Sequence, residues 1–488
     1  MANPPPPYDN ITGISRAAMK DNAQVTLAEY DGNARPGELV VDQTTSIVYV
    51  GNALGDLTAV ATPGGATTWA LLSNKTGASG PTIIALGQNA GFDGQANAAV
   101  ALGQNAGAGG QSGAAISIGL NAGGNTTQGI YAVAIGSSAG YDAQGISSVA
   151  IGENAGLTSQ GNQSVAIGQN AGATQGSTAV AIGQNAGGGV ALQGDDAVAI
   201  GHGAGENTQG TQSVAIGLYT GQTTQGIQSV AVGKQAGQTT QGAYSVAIGV
   251  EAGRNSQGTN SIAIGYQAGN SAQNVNAVAI GILAGHAAQG SEAVAIGVQA
   301  GYNTQGTYSV AAGYLAGNSS QGTQSVAVGR SAGQTTQGAY SVAVGDTAGQ
   351  TTQGTQSVAV GQRAGFSNQG PSAVAIGAYA GNSSQGERTV AVGLGAGITS
   401  QGNSSIAIGA FAGNSSQGTY SIAIGSNAGD VNQANNSIIL NATNGPLNQT
   451  TANTFTVKPV RNGGSSGLPA GFYQMAYNPT TGEIVYYT

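Results

Sequence analysis

The chain has 488 residues, 86 of them Gly and none Cys, and only 6 % are charged. Without Cys there is no disulfide scaffold and no thiolate-ligated metal. Eleven basic residues against 19 acidic ones, net −8, exclude the basic footprint that nucleic-acid binding needs. The 40 % apolar share is mostly Ala and Val with 5 % aromatics, which argues against a conventional large core, and no apolar run approaches the ~18 residues of a membrane-spanning helix.

From the N-terminus, Met1 to Tyr8 contains Pro4 to Pro7 and lacks both a basic and an apolar signal region. The expectation is synthesis in the cytoplasm without a signal peptide. Glu38 to Asp42 and Ser46 to Val50 alternate apolar and polar residues around Gln43-Thr44-Thr45, which predicts a β-hairpin. Residues 1–80 are read as an N-terminal attachment module containing that hairpin.

Residues 81–442 repeat one sentence: Ser-Val-Ala-Ile-Gly, two variable residues, Ala-Gly, three variable residues, Gln-Gly, two variable residues. A clean copy has Ser245 to Gly249, then Ala252-Gly253, then Gln257-Gly258. The Gly after the apolar triplet recurs every 16 residues from Gly201 to Gly425, and the only irregular steps end at Gly136, Gly183 and Gly201. A period this short fits no two-helix repeat. Val-Ala-Ile alternates with period two and is β-branched, so it reads as a short strand, with Gly at tight corners. The prediction is an all-β, parallel β-roll (a β-solenoid) of about 23 coils, neighbouring strands ~4.8 Å apart. The extra residues between Gly187 and Asp196 should form a surface bulge.

Each strand carries large residues on one face and small ones on the other. The large ladder includes Val165, Ile167, Val214, Ile216, Val246, Ile248, Val294, Ile296, Val326, Val328, Val358, Val360, Ile406 and Ile408. The small one includes Ala166, Ala215, Ala247 and Ala407. A 16-residue coil is thin, and its second half offers Ala as the facing partner, which argues for Ala inside and the Val/Ile ladder outside. A continuous apolar stripe is not tolerated on a soluble monomer, so the ladder is predicted to line the axis of a homotrimer. The alternative buries Val and Ile inside each coil and leaves a monomer.

Residues 443–488 read as a C-terminal cap or tip. Asn478-Pro479 and Thr481-Gly482 supply turn chemistry for a terminal hairpin.

The Ser-Val-Ala-Ile-Gly sentence resembles the head repeats of YadA-type trimeric adhesins and related haemagglutinin-type repeats. That resemblance implies a left-handed β-roll and an intertwined homotrimer. The period here is longer than the family's, and Gln-Gly occupies one corner. Two further phrases, Arg35 to Asp42 with Val48 to Asn52, and Phe472 to Thr488, resemble modules of phage and other viral fibre chains. The combined expectation is a structural virion fibre, tail or capsid, exposed on the particle surface. Its N-terminal module would join a virion attachment protein, and the fibre would contact a host-surface glycan or protein. The alternatives are a cell-surface trimeric adhesin head and, on the Thr and Ser residues that precede Gln, an ice-binding solenoid.

Nothing points to catalysis, a metal or a cofactor, so the chain is read as no enzyme. His202 and His286 occupy different repeat positions, and Asp195-Asp196 is an isolated acidic pair in the irregular coil. The glycines recur with every coil and precede no Gly-Lys-Ser/Thr, which makes them corners and not a phosphate loop. The Gln ladder from Gln209 to Gln433 is read as corner-stabilising, with stacked amides bonded along the coil axis as one source of that stability. Exposed Tyr244, Tyr308, Tyr340 and Tyr420 are candidates for sugar stacking.

Overall fold

The computed structural model describes residues 83–189 and 192–460, together with the backbone of five short strands beyond them. Each repeat sentence forms one coil of a parallel β-solenoid, and the described residues contain no helix. The chain divides into two units, one ending at Asp196 and one beginning at Ala197. The first unit holds seven strands of the Val-Ala-Ile type, from Ile84–Leu86 to Val180–Ile182. The second holds seventeen, from Val198–Ile200 to Phe455–Lys458.

Within each unit the coils stack in register. Val165 pairs with Val180 in the first; Val246, Ala247 and Ile248 pair with Ile262, Ala263 and Ile264 in the second. A slip of one residue would exchange the Ala face for the Val/Ile face, so the small-large alternation itself specifies register. The second strand of the coil is short, Ser256–Gln257 for instance, and pairs with Thr240–Gln241 of the coil before it.

The coil from Tyr244 to Gly258 shows why the sentence has its spelling. Ala247 and Ala252 are wholly buried, and Gln257 is 3 % exposed. Alanine is therefore the interior residue, and the reading that buries Val and Ile inside the coil is overturned: Val246 is half-buried and Ile248 is 39 % exposed. The first corner begins at Gly249, with φ near +127°, where a Cβ would lie 2.6 Å from the carbonyl oxygen of Gly265 in the next coil. No side chain fits between those backbones. Gly253, with φ near +54°, leaves room for the amide of Gln257, whose Oε1 would stand 2.7 Å from a Cβ there. Gln257 then reaches back across the coil and donates from Nε2 to the Val246 carbonyl at 2.7 Å. Buried Ser245 donates from its hydroxyl to the Gly242 carbonyl at 2.6 Å.

The Gln side chains thus act mainly across the coil and less along its axis. Amide-to-amide bonds between successive coils occur at some levels only, such as Gln273 to Gln289 at 3.1 Å and Gln417 to Gln433 at 3.2 Å. Cross-coil bonds to a Val or Ile carbonyl recur through the regular block, from Gln209 to Val198 at one end and from Gln433 to Ile422 at the other.

The stack continues one rung past residue 442, where the repeat sentence stops. Phe455–Lys458 pairs in parallel with Ile438–Asn441. In that last repeat Ile439 stands where other coils have Ala, and it is fully buried, with Leu447 8 % exposed beside the same cluster. Bulkier residues there close the end of the narrow Ala interior. The predicted N-terminal hairpin is present, Leu39 pairing antiparallel with Val50. A third strand, Leu57–Ala59, which the pattern did not reveal, joins it. The terminal hairpin pairs Gln474 with Tyr487. The polyproline start, the turn at 478–483 and residues Val190 and Ala191 of the expected bulge lie outside the described residues; Leu192, next to them, is 53 % exposed.

Candidate functional site

The outward face of the first strand is the most extensive uniform surface within each unit. Period-two alternation puts both aliphatic residues of each strand on it, and parallel register lines them up level by level. Val214 lies beside Val230 and Ile216 beside Val232; Val294 lies beside Val310, and Val326 beside Val342. Val358 pairs with Val374 and Val360 with Ile376; Ile406 and Ile408 pair with Ile422 and Ile424. Val165 and Ile167 take the same positions in the first unit. The first residue of each pair is half-buried. The second is open at some levels, Ile216 36 %, Ile296 44 %, Val328 38 % and Ile408 39 % exposed, and half-buried at others, among them Ile167, Val232 and Val360. The structure thus brings the predicted ladder residues of each unit onto one exposed apolar face. No charged side chain occupies those strand positions from Ile84 to Leu440.

A face of this kind has no chemistry of its own. It binds by burying aliphatic area, and its specificity lies in the pitch of the rungs. The family model described as YadA head domain repeat (2 copies) matches residues 159–186, 193–220 and 256–284. The chain carries YadA-like head repeats. The matched segments include Val165, Ile167, Val214, Ile216 and other rungs of this face, together with the Ala interior behind them. No curated protein and no solved structure matches the chain.

The other singled-out residues are engaged in stacking and loop support within these YadA-like coils. His202 tilts against Tyr219, ring centroids 5.0 Å apart, and His286 stacks on Tyr302 at 4.9 Å. Burial pushes the His286 imidazole below its ordinary pKa, and the charge of Glu251 opposes that shift. Asp195 accepts the Ser177 amide at 2.8 Å, and Asp196 accepts the Thr178 hydroxyl, so both acids bind the coil before them. Among the described residues no three His, Asp or Glu side chains gather as a metal would require. Tyr244, Tyr308, Tyr340 and Tyr420, all exposed, take the same corner position of the repeat in coils two to five apart.

Two features escaped the sequence. One is the inward Gln: it is invariant across the regular block while the residues before it vary among Thr, Ser, Ala and Asn, and a polar residue that never varies among varying neighbours signals burial. The other is the pair of left-handed residues in each coil that are not Gly, such as Tyr244 and Glu251 with φ near +58° and +57°. In the first unit Asn89, Asn105, Asn121, Asn154, Asn170 and Asn185 mark one of these positions with a residue type that tolerates the left-handed region, whereas in the second unit Gln, Tyr, Leu and Arg stand there and give no such signal.

Proposed function

We propose that the chain is a non-enzymatic, homotrimeric attachment fibre whose YadA-like coils form its shaft. The observation that carries this is the uncharged Val/Ile ladder, which within the regular block shrinks only at Ala312, outside an interior already filled by Ala and Gln. Coils whose interior is complete have no further use for a second row of large aliphatic residues. Left in water, that row would be the contiguous apolar patch that soluble monomers avoid. Three copies meeting along it would bury every rung, and YadA-type heads assemble as trimers.

The finer reading is a fibre of a virus particle. The phrases at Arg35 to Asp42 and Phe472 to Thr488 support it through their likeness to viral fibre modules, and both regions contain antiparallel strands. In this reading the N-terminal module holds a virion attachment protein, the fibre sits on the virion surface, and a host-surface glycan or protein is the target. A cell-surface adhesin head is the competing placement, favoured by the family match. Sedimentation of the purified chain tests the assembly: a species of three times 47.1 kDa is expected, and a 47.1 kDa monomer overturns the proposal. Antibody labelling distinguishes the two placements. Label on purified particles supports the virion fibre, whereas label confined to the bacterial envelope supports the adhesin head.

A further inference from the structure

One position beyond each Val-Ala-Ile-Gly, a second file of side chains runs beside the ladder. Over five successive coils of the second unit it is wholly apolar: Val250, Tyr266, Ile282, Val298 and Tyr314, 39–53 % exposed. Two residues back in each of the first four of these coils stand Ile248, Ile264, Ile280 and Ile296, 36–44 % exposed. Residues two apart have Cα atoms no more than ~7 Å from each other, so the two files make one strip. Lys234 precedes the apolar stretch, and Arg330, paired with Asp346 at 2.8 Å, follows it. In the first unit the same file is largely polar and tied along the axis by amide bonds, Gln169 to Glu153 and Gln184 to Gln169, both at 3.1 Å.

We infer that coils 246–316 form the widest contact between protomers, with the file from Val250 to Tyr314 packed against a second copy of this chain. The inference rests on the trimer reading above and specifies where its contact is broadest. Two arguments select the occupant. First, nine half-exposed large apolar side chains in one strip exceed the few hundred Å² that a soluble monomer leaves open, and they approach the ~800 Å² per partner of a standard specific interface. Second, the strip is periodic: each of four successive 16-residue coils presents a pair of rungs, and the fifth presents Tyr314 beside Ala312. A partner that fills it over five levels must present apolar groups at that pitch, and another copy of this solenoid does so by construction of its own fold. A charged file at Lys234 and at Arg330 to Asp346 then bounds the contact at both ends and penalises a copy shifted along the axis.

The chain has no Cys, so single thiols can report cover directly. Ile282→Cys and Val298→Cys place a thiol in the second file, and Val275→Cys places one at another corner, where the side chain is 45 % exposed in the single chain. Each full-length variant is sized by sedimentation and then reacted with a maleimide. The expected result is a trimer in which the 282 and 298 thiols react at least tenfold more slowly than the thiol at 275, the difference vanishing in denaturant. A trimer in which all three react alike overturns this inference and leaves the trimer intact. A monomer overturns the trimer reading itself. Protection that appears only when phospholipid vesicles are added assigns the strip to a lipid surface and also overturns the inference.

Discussion

At the scale of single residues, the two kinds of Gly in each coil are constrained differently. At Gly249 the obstacle to a side chain is the carbonyl of the next coil, and backbone cannot yield without breaking the ladder. At Gly253 the obstacle is the far end of Gln257, which can swing. Gly253→Ala should therefore cost the ~1–2 kcal/mol of a left-handed Ala together with a displaced amide, and Gly249→Ala clearly more. Hydrogen exchange of the Gly249 and Gly265 amides, read coil by coil, checks that order; equal protection in the two variants would contradict it. The Gln amide offers a second comparison. Gln241 donates to the Val230 carbonyl at 2.8 Å, while its buried Oε1 meets no donor. Gln241→Leu forfeits that bond and a long one to the Ser245 carbonyl at 3.5 Å, about 1–2 kcal/mol in all, whereas Gln241→Glu buries an unpaired carboxylate and should cost clearly more. Local exchange at pH 7 would show the Glu variant opening the surrounding coils and the Leu variant leaving them nearly as closed as before.

At the scale of the element, the coil was legible because its information is repeated. The alternation of Val-Ala-Ile decided strand and face, and the thinness of a 16-residue coil decided that Ala goes inside. What stayed hidden was whatever occurs once or has no period. The rung Phe455–Lys458 shares no text with the repeat, and the strand Leu57–Ala59, though preceded by Gly55-Asp56, is three residues long and too short to show an alternation. The apolar file beside the ladder was overlooked because its residues, Val, Tyr and Ile among Lys, Arg and Asp, look like corner variation until the coils are stacked. The His286 corner yields a pH prediction. Its folded pKa lies below the ordinary imidazole value of about 6.5, mainly through burial against Tyr302 and despite Glu251. The unfolded state then binds more protons near that pH, so the corner is held best above about pH 6.5 and loosens as pH falls through it. The Ser271 amide, which donates to the His286 carbonyl at 2.9 Å, is the reporter. Its protection, after correction for the intrinsic exchange rate, should drop between about pH 7 and pH 5. A His286→Asn variant should lose that dependence.

For the whole molecule, the question is what the Val/Ile ladder faces. An aliphatic row without charge suits both a coil interior and an interface, which is why composition could not separate the two readings. The fold removes the first, because the coil interior is occupied by Ala252, Gln257 and their equivalents at every level. The ladder therefore either faces water or faces other copies, and charge substitution distinguishes these cases. Val294, Val326 and Val358 are half-buried outward residues of three separate coils in one unit. In a monomer, Asp at each would sit at a partly solvated surface and cost roughly what a polar substitution on an open strand costs, ~1 kcal/mol or less. In a trimer each level would bring three carboxylates together on one axis, away from water. Like charges that close cannot all ionise, so their pKa values would rise and protonation would become the condition for assembly. The Val294→Asp, Val326→Asp, Val358→Asp chain should then sediment as a monomer at pH 8 and regain the trimer as pH falls toward 4, while the wild type keeps one mass throughout. If the variant and the wild type both stay trimeric at pH 8, the ladder does not line the axis, and the protomers meet on another face.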